Sequence, residues 1–121
     1  MKIRIRGNSI RFRLTKTEVE KLCNKGIVEE RCQFEETSFF YVVKETTEKE
    51  ELFGSFENNA ILLYVPSILL KNWHHNDTVG FYHSQRVKAG TILMLTLEKD
   101  FVCMDETVED QSDNYPNPKA L

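Results

Sequence analysis

Lys2-Ile3-Arg4-Ile5-Arg6-Gly7-Asn8-Ser9-Ile10-Arg11-Phe12-Arg13-Leu14 is the stretch that decides how the chain is read. Cations and apolar residues alternate on either side of Gly7-Asn8-Ser9, the period of two expected of strands with one wet and one buried face. Glycine, asparagine and serine are turn formers, so the two runs predict a β-hairpin closed by residues 7–10. With Arg6 opposite Arg11 and Arg4 opposite Arg13, Ile5 meets Phe12 and Ile3 meets Leu14. A slip of one residue would mix the faces. The same register sets like charges across from one another, which destabilises the pair unless acids or an anion lie nearby.

The charge of the whole chain hides this block. Net charge is −3 and the isoelectric point about 5.6. Residues 1–25 nevertheless carry eight cations against Glu18 and Glu20, a net +6, and residues 26–60 carry nine acids against Arg31, Lys44 and Lys49, a net −6. Opposite blocks in one small chain most simply neutralise each other, with Glu29, Glu35 and Glu36 as the natural partners of the arginines. An acidic whole argues against a dedicated nucleic-acid binder. At 121 residues the chain has room for one domain, able to bury roughly two-thirds of its unfolded surface. No apolar run is long enough to span a bilayer and the charged start does not read as a secretory signal, so a cytoplasmic location and no membrane partner are expected. Cys23, Cys32 and Cys103 are odd in number and widely spaced, and read as buried reduced thiols.

Outward from the hairpin, Thr15 and Glu18 form a T-x-x-E capping box, and Gly26 suits the left-handed position past a helix over residues 16–25. Val19, Leu22 and Cys23 give that helix its buried stripe. Residues 27–34 and 38–44 read as strands, the second apolar on nearly both faces and therefore central. After an acidic loop over 45–51, residues 53–57 and 60–65 predict a hairpin around Asn58-Asn59. Ser67 is placed to cap a short second helix running to about residue 75, and 79–84 and 91–101 predict two more strands. Residues 105–121 hold five acids, one lysine and two prolines, and read as an irregular acidic tail on the surface of a single domain over 1–104.

Chemical motifs are scarce. His74, His75 and His83 lack metal-ligand spacing, since neighbours on a helix point about 100° apart, and they read as exposed residues favourable at a helix end. There is no nucleophile elbow, P-loop or dinucleotide fingerprint. No metal and no cofactor is therefore expected. The remaining constellation is the basic face, whose candidate anion-binding residues are Arg4, Arg6, Arg11 and Arg13, because guanidinium forks match phosphate oxygens two at a time. Stacking of nucleic-acid bases is hard to arrange there when Phe12 lies on the oily face.

The opening KIRIRGNSIR segment, taken with Glu98-Lys99-Asp100-Phe101 and Asp113-Asn114-Tyr115-Pro116-Asn117-Pro118, resembles a family of small bacterial proteins known only as a domain of unknown function. The resemblance spans nearly the whole chain. It implies a bacterial single-domain protein in which the segment from Glu98 onward belongs to the module, and it carries no activity. A more distant likeness is to triphosphate-tunnel enzymes, whose E-x-E-x-K pattern this chain lacks.

Together these readings predict an α+β domain: a curved, mainly antiparallel sheet of six to eight strands, in the manner of a half-barrel, covered by two short helices. The function expected first is a non-enzymatic binding module whose basic hairpin meets an anionic small molecule or an acidic protein surface, with a homodimer compatible with either. The alternative is an enzyme on a phosphorylated ligand, with the four arginines clamping phosphate on a concave sheet face and Glu29, Glu35 or Glu98 as base or metal holder.

Overall fold

The computed structural model describes residues 1–102 and 111–118. In chain order the elements are β1 (Lys2–Arg6), β2 (Ser9–Leu14), α1 (Lys16–Lys25), β3 (Ile27–Gln33), β4 (Ser38–Thr46), β5 (Phe53–Glu57), β6 (Ala60–Pro66), α2 (Ser67–Leu70), β7 (Gly80–Arg86) and β8 (Ile92–Lys99). The α+β character is as expected, but the single antiparallel sheet is not. Eight strands form two four-stranded mixed sheets, ordered β1-β2-β8-β7 and β3-β4-β6-β5. Each is two hairpins joined by a parallel pair, β2 with β8 and β4 with β6. After β4 the chain steps past one strand position, descends as β5 and returns as β6 between them. Sequence alternation cannot foresee such an insertion, because any neighbour of matching pattern would serve.

The local predictions hold where local physics decides. Thr15 caps α1: its side chain accepts from the Glu18 backbone, and the Glu18 carboxylate accepts from the Thr15 N–H at 3.0 Å. Gly26 ends the helix at φ 81°, a left-handed conformation in which a side chain is strained. Asn58 and Asn59 both take positive φ between β5 and β6, as a two-residue primed turn requires. The first hairpin keeps its predicted faces but shifts by two residues, pairing Arg4 with Arg11 and Arg6 with Ser9. A shift of two leaves every side chain on its own face and allows a two-residue turn with Gly7 at φ 54°.

The inner faces of the two sheets make one core. Phe12, Leu14, Leu95 and Leu97 from the first sheet meet Val28, Val43, Leu63 and Val65 from the second, with Val19 and Leu22 of α1 closing one end. The sheets come close at Gly54, where a Cβ would lie 3.0 Å from methyl groups of Leu93 and Leu95. Beside it the Gln85 amide accepts from the Gly54 N–H at 2.6 Å and donates to the Gly54 carbonyl at 3.1 Å, so a side chain of β7 satisfies the edge of β5.

The second helix is shorter than predicted. Four residues form α2, Ser67 makes no cap, and its hydroxyl donates to the Thr46 carbonyl instead. Trp73 then turns inward, fully buried, donating from Nε1 to the Thr78 carbonyl at 2.9 Å and packing 5.0 Å from the Phe81 ring. The helix ends because the chain leaves helical geometry ahead of Trp73, with Lys71 extended and Asn72 at φ 60°. Lys99, 4% exposed, donates from Nζ to the Asn76 carbonyl at 2.6 Å and lies over the rings of Trp73 and Tyr115. Burial pulls its pKa below the ordinary lysine value, partly opposed by Asp77.

Part of the predicted acidic tail packs on this end. Lys16 donates its backbone N–H to Asp113, and the Tyr115 N–H bonds the Asp100 carbonyl at 2.8 Å. A parallel bridge joins Phe101 to Tyr115. Cys103, residue 104, and residues 105–110 and 119–121 of the expected tail lie outside the described residues.

Candidate functional site

The arginines sit where the hairpin reading put their faces, and sheet order decides what stands beside them. Cross-strand register sets Lys2, Arg13, Glu98 and Gly80 in one row across the outer face of the first sheet. Arg4, Arg11, Thr96 and Tyr82 form the next row, and Arg6, Ser9, Met94 and Ser84 the third.

The expected neutralisation by Glu29, Glu35 and Glu36 is overturned. Glu29 is on β3 and the other two are in the β3–β4 turn, all belonging to the second sheet. Glu98 on β8 takes their place: its Oε1 accepts from Arg13 Nε at 3.2 Å and lies 3.6 Å from Arg11 Nε. Lys2 Nζ pairs with the buried Asp100 carboxylate at 3.2 Å. Among the described residues, Arg4 and Arg6 make no ion pair.

Arg4, Arg6 and Arg11 surround a shallow concavity of about 130 Å³ together with Ser9. Arg13 is not part of it; its guanidinium is turned to Glu98. So three of the four candidate anion-binding residues converge and one does not. No acid lines the concavity. Three guanidinia and a hydroxyl around a small hollow supply hydrogen-bond donors and positive charge, the groups that match the oxygens of an anion.

Larger cavities elsewhere were not foreseen. One of about 320 Å³ lies between the sheets, lined by apolar groups of Ile10, Phe12, Phe56, Ile61, Leu93 and Leu95 among others; it has few polar atoms to orient a ligand. Another, also about 320 Å³, is bordered by Cys23, Glu45, Ser67, Lys71, Asn72 and His74. Burial pushes the Cys23 thiol up, reinforced by Glu45, while the backbone of His74 and the Lys99 charge pull down. Its Sγ donates to the Leu70 carbonyl at 3.3 Å, so the thiol is held protonated and is not an activated nucleophile.

Other side-chain expectations need correction. Cys32 is exposed rather than buried, because the β3 end projects beyond the core. His74 and His75 are not at a helix end, since α2 stops at Leu70; their rings lie 3.8 Å apart, and His74 Nδ1 is buried without a partner. His83 faces Glu51, with Nδ1 3.5 Å from its carboxylate. Among the described residues there is no group of three or more His, Cys, Asp or Glu placed to hold a metal ion, and no helix is long and apolar enough to cross a membrane.

The fold and site define a class: a small two-sheet α+β domain presenting a basic, partly unneutralised hairpin on an open sheet face. The chain belongs to the family of unknown function DUF7009, whose model matches residues 1–119. No curated protein and no solved structure matches it.

Proposed function

We propose that this domain is a non-enzymatic binding module that captures an anionic partner at Arg4, Arg6 and Arg11. The observation that carries the reading is the pair Arg4 and Arg6, uncompensated among the described residues and gathered with Arg11 and Ser9 on one concavity. Like charges directly opposed on neighbouring strands, as Arg4 and Arg11 are, destabilise a sheet unless an anion answers them. The enzyme alternative is weaker, because Glu29 and Glu35 belong to the other sheet and Glu98 is engaged with Arg13 and Arg11. The free thiols of Cys23 and Cys32 support a reducing, cytoplasmic setting.

A thermal-shift titration with inorganic polyphosphate at low salt tests the site. Wild type gains stability with ligand concentration as binding to the folded state requires, and Arg4→Ala/Arg6→Ala loses the shift. No shift in the wild type at low salt refutes the reading.

A further inference from the structure

Resting on that anion-binding reading, we infer that the partner is single-stranded nucleic acid, laid across the outer face of the first sheet from the arginines of the β1–β2 hairpin to Tyr82. Two things were needed for such a surface, cations for the phosphodiester backbone and an accessible aromatic face for a base. The hairpin supplies only the cations, since Phe12 is wholly buried on its other side. The aromatic group comes from β7, which sheet order brings to the same face: Arg4, Arg11, Thr96 and Tyr82 occupy one row across all four strands.

Tyr82 is 63% exposed and Met94 beside it is 54% exposed. Tyr82 and Met94 are diagonal neighbours on β7 and β8, close enough for side chains of that size to form one apolar platform. With strands about 4.8 Å apart, the platform stands roughly 10 Å from Arg11, a span short enough for an extended strand to hold a phosphate at the arginines and a base at Tyr82. Ser9, Ser84 and Thr96 interleave the platform with hydroxyls that donate to phosphate, sugar or base edges.

The charge of this face, five hairpin cations (Lys2, Arg4, Arg6, Arg11 and Arg13) against Glu98, and not the net −3 of the whole chain, favours this occupant over others. Glu98 neutralises Arg13 and part of Arg11 at one margin of the face, leaving the uncompensated charge at Arg4 and Arg6, on the rows that hold Tyr82 and Met94. A polyphosphate would use the arginines but has no group for the platform. A duplex keeps its bases stacked on one another and offers no free face to Tyr82, so the arrangement selects single strands.

Fluorescence anisotropy with a labelled oligothymidylate of about fifteen nucleotides, a length on the scale of one single-strand site, tests the proposal at low salt. Wild type is expected to bind it more tightly than the corresponding duplex. Tyr82→Ala weakens it about five-fold or more, the lower end of the effect of losing one stacked base, while Tyr82→Phe retains it. Tyr82→Ala leaves polyphosphate binding unchanged, and Arg4→Ala/Arg6→Ala abolishes both. Since Tyr82 lies outside the core, circular dichroism of the variants is expected to match wild type. Oligothymidylate binding that is indifferent to Tyr82→Ala, or no tighter than duplex binding, overturns this inference and leaves the anion site standing. Absence of binding to oligothymidylate and polyphosphate alike overturns both.

Discussion

Replacing Glu98 with glutamine is expected to weaken the fold and tighten anion binding in the same variant. Glu98 Oε1 holds Arg13 at 3.2 Å and draws Arg11 at 3.6 Å, with its side chain 17% exposed against 36% and 40% for the arginines. A partly exposed pair of this kind is worth about 0.5–1 kcal/mol, so the melting temperature should fall by roughly 2–5 °C for a domain of this size. Binding moves the other way. Glu98 lies one row from Arg11 along the sheet, which puts its charge about 10 Å from an anion held among Arg4, Arg6 and Arg11. Repulsion between two unit charges at that distance is about 0.4 kcal/mol in water and about 1.7 kcal/mol at an effective dielectric of 20. Removing it should raise the affinity for each ligand charge by a factor of about two to eighteen at low salt, with the gain shrinking toward physiological ionic strength. Calorimetric titration with polyphosphate and thermal denaturation of the same preparation measure the two effects. A Glu98→Gln protein that loses affinity along with stability would show that the carboxylate orients Arg11 for binding rather than competing with the ligand, and the electrostatic reasoning would fall.

Gln85→Leu removes both amide bonds to Gly54 and leaves its backbone N–H and carbonyl without the side-chain partners that now hold them. At about 1–3 kcal/mol for each part-buried group left unsatisfied, the expected loss is about 2–6 kcal/mol, read from the urea midpoint at constant slope; a loss under about 0.5 kcal/mol would mean that water replaces the amide. Burial first, then the negative charges of Cys23, Asp113 and Glu20, push the Tyr115 phenol up to about 12 from its ordinary 10.0. The folded protein therefore keeps a proton that the unfolded chain releases near pH 10, and stability falls as pH rises from about 10 to 12. Tyr115→Phe should flatten that fall in a series of denaturation curves, whereas a variant parallel to wild type would contradict it. The lowered pKa of Lys99 works in the opposite direction below its ordinary 10.5, since the unfolded chain binds the extra proton there, and it is common to both proteins.

How much of this was legible depends on the range of the interaction concerned. The faces of the first hairpin, the capping box at Thr15 and Glu18, the left-handed Gly26 and the Asn58-Asn59 turn were all readable, because each is settled within a few residues by periodicity, a hydrogen bond or a backbone dihedral. The extent of the second helix was not, since an apolar pattern that allowed it to continue through Trp73 does not show that the chain leaves helical geometry at Lys71 and Asn72. The partners of the arginines were also misread. Proximity in sequence pointed to Glu29, Glu35 and Glu36, whereas the acid that reaches them, Glu98, is 85 residues from Arg13.

By itself, then, the sequence determined that residues 2–14 fold into a hairpin with a cationic face and an apolar face, for alternation of side chains is a property of the strand alone. Only the tertiary structure decided that the chain would divide into two sheets, that β8 would enter between β2 and β7, and that Glu98, Thr96 and Tyr82 would stand on the arginine face. Backbone pairing is nearly indifferent to which strand of suitable pattern completes a ladder. The choice falls to the packing of the whole core, where Phe12, Leu95 and Leu97 had to be covered together with Val43 and Leu63. The cationic face is thus written in the hairpin, and its neighbours across the sheet come from the far end of the chain.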